Sequence, residues 1–235
     1  MIPKKIHYCW FGGKPLPKDV QMCIASWKNF CPDYEIVRWD ETNVDLNQHP
    51  FLKSAYEAKA WAFVSDYARL QIVYEQGGIY LDTDVEVVKS LDLLLEDSCF
   101  VGVQQTMGWI ATGLGFGAEA GNPMVKAMLD EYEELVYEEE KKAKFVCPLL
   151  NTDAFAKHGF VFTDDIMVLE HATVYPPRFF DPYTSGKGED LMCQDTYSIH
   201  HYSATWTSGK QRAKRRLARL IGEKNIIKLK KLLKR

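Results

Sequence analysis

Asp82 and Asp84 stand two residues apart in the stretch Gly77-Gly78-Ile79-Tyr80-Leu81-Asp82-Thr83-Asp84-Val85-Glu86. On a strand, residues i and i+2 share a face, so two carboxylates there can share one divalent ion. Hard oxygen donors of this kind suit Mn²⁺ or Mg²⁺ rather than zinc. An ion held this way can clamp a diphosphate and neutralise the charge that develops as it leaves. The plain alternative is an exposed strand whose acidic face is merely solvated. Ile79, Leu81, Thr83, Val85 and Val87 alternate with Tyr80, Asp82, Asp84 and Glu86 behind a Gly-Gly turn, and this pattern favours the ion.

Three further stretches carry residue types with chemical use. In Ser65-Asp66-Tyr67-Ala68-Arg69, Asp66 and Arg69 are three apart and share a helix face. An acid beside a guanidinium can bind the vicinal hydroxyls of a sugar or tie the helix to a phosphate. A surface ion pair is the competing reading, and taken alone it is the better one. In His7-Tyr8-Cys9-Trp10-Phe11-Gly12-Gly13, Tyr8 and Trp10 share a strand face that ends in glycines. An aromatic at the carboxyl end of a strand can stack on a base, or simply pack in the core. In Ile199-His200-His201-Tyr202-Ser203-Ala204-Thr205-Trp206, adjacent histidines leave a strand on opposite faces, so at most one of them meets an ion. The competing reading is one buried and one exposed structural histidine.

The elements that must position these residues follow from periodicity and breakers. Ile2–Phe11 reads as a first strand and 17–30 as a helix with Val20, Ile24 and Trp27 on one face. Tyr34–Trp39 reads as a second strand. Residues 50–76 read as one long helix closed by Gly77-Gly78 in the C-cap position. Ile79–Val88 reads as a continuous strand, with further strands over 99–104, 109–116, 166–170 and 197–202. Residues 124–144 read as a strongly acidic helix. Strands mixed with helices from the first residue imply an α/β sandwich with a largely parallel sheet, without an internal boundary before about Ser208.

Composition narrows the function classes. The 235 residues are 46% apolar and 26% charged, and no run approaches the apolar length that crosses a bilayer. The N-terminus lacks the apolar core of a secretory signal. The six cysteines are scattered singly, which argues against a zinc knuckle or redox pair and for buried, reduced thiols in a cytoplasmic protein. The net charge of −3 conceals a divided chain, since 210–235 carries +11 and the preceding residues −14.

In order, the Ile-His-Tyr-x-Trp-x-Gly-Gly opening, Ser-Asp-x-x-Arg, Gly-Gly-Ile-Tyr-Leu-Asp-x-Asp and a late His and Trp resemble the family 32 glycosyltransferases, which include bacterial capsular polysaccharide enzymes. They are similar, more distantly, to the glucosylating domains of clostridial toxins. The resemblance covers Ile2 to about Trp206. It implies a GT-A fold, a Rossmann-like α/β/α sandwich over 1–208, with a basic amphipathic helical segment over 209–235. It implies a nucleotide-sugar donor, most often a UDP-sugar, a saccharide or lipid-linked glycan acceptor, transfer with retained configuration, and dependence on Mn²⁺ or Mg²⁺. Asp66, Arg69 and Asp82 would form the catalytic set. Tyr8, Trp10, Asp66, Arg69, Tyr80, Asp82 and Trp206 would bind the nucleotide sugar, with Trp10 on the base. Asp82, Asp84 and His201 would hold the metal, His200 being the other candidate of the pair. No carboxylate is marked by the sequence as a covalent nucleophile. Acceptor contacts are expected from the loops 104–117 and 176–193.

The basic segment has leucines and isoleucines at helical spacing, a pattern suited to an anionic membrane surface on the cytoplasmic side. Docking on the acidic body is the other reading, and nucleic acid is disfavoured because no aromatic is there to stack on bases. Two rival functions remain. A metal-dependent phosphohydrolase would use Asp82 as nucleophile and Asp84 as acid, with Asp164 and Asp165 as later metal ligands. A non-catalytic adaptor at the membrane would keep the body without activity.

Overall fold

The computed structural model describes residues 1–183 and 189–203. Trp206 and the segment 209–235 lie outside the described residues. Nine strands occur among those described: β1 (Lys5–Cys9), β2 (Glu35–Trp39), β3 (Gly78–Tyr80), β4 (Val85–Val87), β5 (Cys99–Gly102), β6 (Phe116–Ala118), β7 (Met167–Val168), β8 (Thr173–Tyr175) and β9 (Ser198–His200). Seven form one sheet in the order β2-β1-β3-β6-β5-β8-β7, and β4 pairs with β9 in a separate ribbon. Within the large sheet β2, β1, β3, β5 and β8 point one way, and β6 and β7 run against them. This is the expected mostly parallel α/β architecture.

Strand alternation divides the core into two layers. Ile6, Tyr8, Ile79 and Phe100 face one cluster, which also takes Trp27, Leu94 and Phe180. Cys9, Tyr80, Val101 and Phe116 face the other, built from helices α2 (Pro50–Glu57), α3 (Trp61–Gln76), α4 (Pro123–Asp130) and α5 (Cys147–Lys157). Helix α1 (Lys18–Phe30) packs beneath β4. Its Trp27 is fully buried and donates its indole N–H to the Val85 carbonyl at 2.8 Å. Truncating such a ring to alanine costs about 3–5 kcal/mol. Here it would also release the strand that follows Asp84.

Several expected elements differ in the folded chain. The long helix over 50–76 is two helices, parted at Lys59, whose φ of 55° is left-handed. The Ala60 N–H then closes on the Ala55 carbonyl at 2.9 Å. Glu57-Ala58-Lys59-Ala60 is made of good helix formers, so nothing local announces the break. It is secured by packing, because it sets Trp61 edge-on against Tyr56 with ring centroids 5.4 Å apart. The acidic helix ends at Asp130, and the rest of that stretch is turns and a short 3₁₀ segment over Glu139–Lys144. The expected strand over 109–116 is mostly irregular, with a single 3₁₀ turn at Thr112–Leu114 before β6. All six cysteines are free and five are buried, as their isolation in the sequence implies.

The most consequential difference lies at the acidic motif. Ile79–Val88 is not one strand. β3 ends at Tyr80 in the large sheet, a turn closed by Val85 N–H on the Asp82 carbonyl at 3.0 Å follows, and β4 begins in the ribbon. Asp82 and Asp84 therefore sit on a turn past the carboxyl end of β3, not along a strand face.

Candidate functional site

The turn is placed by a lock across three strands. His7 on β1 is buried, and its Nδ1 accepts the Trp39 indole N–H at 3.1 Å. Its Nε2 must then carry the proton, which it gives to the Gly77 carbonyl at 2.9 Å. Gly78 has φ of +101°, and a Cβ there would lie 2.8 Å from His7 Nε2. Only glycine lets the chain leave α3 and enter β3 against that imidazole.

Beyond the lock a cleft of about 440 Å³ opens at the carboxyl ends of β1 and β3, lined by Trp10, Asp66, Arg69, Asp82, Asp84 and His200 among others. This is where open α/β sheets place ligands. Arg69 is almost wholly buried, and its Nη2 lies 2.8 Å from Asp66 Oδ1 and 3.2 Å from Asp82 Oδ1. Its Nε donates to the Ser65 carbonyl at 3.1 Å, and its guanidinium lies over the Tyr80 ring. The Asp66–Arg69 pair is thus buried ion pairing inside the cleft rather than a surface decoration. Burial pushes the Asp66 carboxyl up to about 7, with Arg69 opposing and Asp82 adding to the rise. Burial also raises Asp82 despite Arg69, with Asp84 reinforcing the rise.

Asp84 and His200 form the other half. The antiparallel register sets His200 opposite Val85, and its Nε2 comes 3.1 Å from Asp84 Oδ1 and 4.0 Å from Asp82 Oδ2. The second Asp84 oxygen accepts the Ser203 backbone N–H at 2.7 Å and its hydroxyl at 3.1 Å. Burial works to raise Asp84, but His200 and the two Ser203 hydrogen bonds outweigh it and hold the carboxyl well below its usual range. Burial likewise works to lower His200, but the carboxylates Asp84, Asp82 and Asp181 raise it.

The donor set fits a divalent ion. One ligand atom from each of Asp82, Asp84 and His200 lies within 4.8 Å of the others. Nδ1 of His200 is buried without a hydrogen-bond partner among the described residues, and Nε2 meets only the carboxylates, Asp84 at 3.1 Å being the nearer. A buried imidazole with one nitrogen unserved beside two carboxylates is costly unless it has a use. The loop opposite is shaped to the same group, since a Cβ on Gly113 would fall 2.5 Å from Asp82 Oδ2 and 2.9 Å from Arg69 Nη1.

The expected site residues divide as follows. Trp10, Asp66, Arg69, Tyr80, Asp82 and Asp84 all line the cleft. Tyr80 is buried and serves as a buttress, its hydroxyl donating to Asp82 Oδ1 at 3.2 Å. Tyr8 is placed elsewhere, because it points to the opposite core layer and packs edge-on against Trp27. His201 is also not in the group. It turns to the far side of the ribbon and pairs with Glu86 at 2.8 Å, leaving His200 as the histidine beside the aspartates. Sequence reasoning missed Gly113, Tyr202 and Asp181. Gly113 is one of several glycines in its loop, and Asp181 follows two phenylalanines with no motif around it.

Residues 17–101 match the family described as the glycosyltransferase sugar-binding region containing DXD motif. The chain is 30% identical to inositol phosphoceramide mannosyltransferase 3 of Schizosaccharomyces pombe over 128 residues, 53% of this chain and 35% of that protein. It is 27% identical to subversion of eukaryotic traffic protein A of Legionella pneumophila, with 36% of this chain and 17% of that protein covered. The chain thus spans about a third or less of the length of these relatives. The solved structure of the PaToxG glycosyltransferase superimposes with a TM-score of 0.53 at 18% identity, covering 66% of this chain and 69% of that one, which is a likeness of fold. Asp66, Arg69, Asp82 and Asp84 therefore all lie within the part of the chain that matches a glycosyltransferase sugar-binding region containing a DXD motif, and the fold around them is like that of a solved glycosyltransferase.

Proposed function

We propose that this chain is a metal-dependent, retaining hexosyltransferase of the family 32 kind. It would move a hexose from a nucleotide-sugar donor, a UDP-sugar by the resemblance, to a saccharide or lipid-linked glycan in surface polysaccharide synthesis. One observation carries the reading: Asp82, Asp84 and His200 converge at the head of a cleft whose walls hold the Asp66–Arg69 pair and Trp10. With His200 neutral, the carboxyls of Asp66, Asp82 and Asp84 outnumber the one guanidinium at that end of the cleft, which suits a cation accompanying a diphosphate.

Asp82, Asp84 and His200 would hold Mn²⁺ or Mg²⁺, which when bound supplies neutralisation of the diphosphate leaving group. Trp10, at the mouth of the cleft, offers a ring for the base. Its N–H is already given to the Lys14 carbonyl at 2.6 Å, which fixes the ring plane. Asp66 and Arg69 offer an acceptor and donors to the hexose hydroxyls. Same-face attack, with the acceptor proton passing to the leaving phosphate, needs no nucleophile from the chain.

The phosphohydrolase reading loses support, since Asp164 and Asp165 are in an exposed to half-buried loop and are not among the residues lining the cleft. We further propose that the chain works at the cytoplasmic face of an anionic membrane through 210–235, where the basic residues and leucines lie. Flotation with anionic liposomes of the full chain against a chain stopped at Ser208 tests this, and equal recovery defeats it.

The test of the activity is a panel of hexoses, mannose among them, on uridine and guanosine diphosphates with Mn²⁺. It is scored for slow donor hydrolysis, which needs no acceptor. Turnover of one donor, abolished in Asp82→Asn/Asp84→Asn, is expected. Release of phosphate from phosphomonoesters with no donor turned over would overturn the reading.

A further inference from the structure

Asp181 does not line the cleft, yet it is wholly buried and sits just behind it. Its Oδ2 accepts the Tyr202 hydroxyl at 2.8 Å and the Gln105 backbone N–H at 2.9 Å. Tyr202 lines the cleft, and its ring stands edge-on to His200 with centroids 4.1 Å apart. Tyr202 also has φ of 49°, a left-handed conformation that a residue of its size rarely adopts. Backbone strain at a cleft persists only where the surroundings over-determine it. Here they do: the His201 N–H is tied to the Asp84 carbonyl at 2.9 Å, the Ser203 N–H to the Asp84 side chain, and the Tyr202 hydroxyl to Asp181.

A histidine that binds a metal is ordinarily oriented by a hydrogen bond on its second ring nitrogen. Nδ1 of His200 has none among the described residues, so the orientation of the ring falls to packing. Tyr202 is the packing partner, and Asp181 is what fixes Tyr202. We propose that Asp181 is a positioning residue: by holding the Tyr202 hydroxyl it sets the Tyr202 ring against His200, and so holds His200 in the orientation that a divalent cation at Asp82 and Asp84 requires. This rests on the metal-centre reading above. The same carboxylate reaches the loop expected to meet the acceptor, because it anchors Gln105, whose side chain grips the Glu189 N–H at 2.8 Å and the Glu189 carbonyl at 2.9 Å. The two loops expected to meet the acceptor are thereby tied to one buried carboxylate.

The experiment titrates Mn²⁺ into the full chain and reads free Mn²⁺ by electron paramagnetic resonance, with no donor present. Tyr202→Phe removes one hydroxyl without changing the ring, and Asp181→Asn keeps the shape without the charge. Tyr34→Phe breaks a comparable tyrosine–aspartate bond, to Asp92 at 3.0 Å, far from the cleft, and serves as the structural control. Tyr202→Phe is expected to weaken Mn²⁺ binding about 10–100-fold, the usual cost of losing an outer partner of a ligand, and Asp181→Asn, whose amide oxygen still accepts the hydroxyl but without the charge, by less. The double variant is expected to bind no worse than Tyr202→Phe alone. Tyr34→Phe is expected to lower the melting temperature and leave Mn²⁺ binding intact. Wild-type affinity in Tyr202→Phe overturns the inference even if Asp181→Asn fails to fold. Absence of Mn²⁺ binding by the wild-type chain overturns the metal-centre reading and this inference together.

Discussion

Arg69 joins Asp66 to Asp82: one nitrogen, Nη2, lies 2.8 Å from the first carboxylate and 3.2 Å from the second. A helix residue and a turn residue sixteen positions apart in sequence are held as one charged unit. The unit links the helix expected to meet the sugar to the turn expected to meet the metal.

Removing the guanidinium while leaving both acids strands two buried carboxylates. Arg69→Met is expected to cost about 3–5 kcal/mol, the usual penalty for breaking a buried ion pair from one side. Arg69→Lys keeps the charge but cannot serve both acids and the Ser65 carbonyl together, so it should fall between. Urea unfolding measures both. A loss under about 1 kcal/mol for Arg69→Met would be the figure for an exposed pair and would contradict the buried triad.

His200 predicts an opposite pH response for stability and for metal binding. Its folded value is raised above the ordinary 6.5, because Asp84, Asp82 and Asp181 outweigh burial. A raised histidine stabilises the metal-free fold fully below the unfolded value, and that contribution fades as pH rises through the folded one. The metal needs the neutral ring, so Mn²⁺ affinity should climb over the same window. Melting temperatures and Mn²⁺ titrations from pH 6 upward check both slopes, since the window opens at about 6.5. His200→Gln should lessen both slopes, with Asp66, pushed up to about 7, supplying the rest of the stability slope, and unchanged slopes in that variant would place the titrating group elsewhere.

Gly113 should tolerate no side chain. A methyl would fall 2.5 Å from Asp82 Oδ2 and 2.9 Å from Arg69 Nη1, so either the loop or the ion pair must shift. Gly113→Ala is expected to lose about 1–3 kcal/mol, the cost of overpacking, and to lower donor hydrolysis with it. Differential scanning calorimetry and the hydrolysis assay read the two effects. Wild-type behaviour in both would mean that the loop stands off Asp82 in solution.

Trp10 and Tyr8 lie two residues apart but should behave differently. Trp10 borders the cleft, whereas Tyr8 is buried against Trp27 in the layer away from it. Trp10→Ala is expected to weaken nucleoside diphosphate binding by about 1–3 kcal/mol, the range for losing one base–aromatic stack. Tyr8→Phe should leave that affinity unchanged. Calorimetric titration separates them, and an equal loss in both would contradict the placement of Tyr8.

The sequence by itself determined which chemistry was on offer. Asp82-x-Asp84, the i,i+3 spacing of Asp66 and Arg69, the glycines after α3 and the aromatic past β1 are all local patterns, and local patterns are what periodicity and turn chemistry expose. The α/β class and most strand cores were legible for the same reason. Tertiary structure alone decided how those pieces meet. Four apolar residues and Thr83 alternating over Ile79–Val87 spell one strand, yet the large sheet takes Gly78–Tyr80, the ribbon takes Val85–Val87, and the aspartates are left on the turn between. Two adjacent histidines are equivalent on paper, and only the pairing of His200 with Val85 selects one. Asp181 carries no motif, because its significance lies in a hydroxyl twenty-one residues later and an N–H seventy-six residues earlier. Strand register and long-range burial arise from contacts between distant segments, and such contacts leave no trace in the spacing of neighbouring residues.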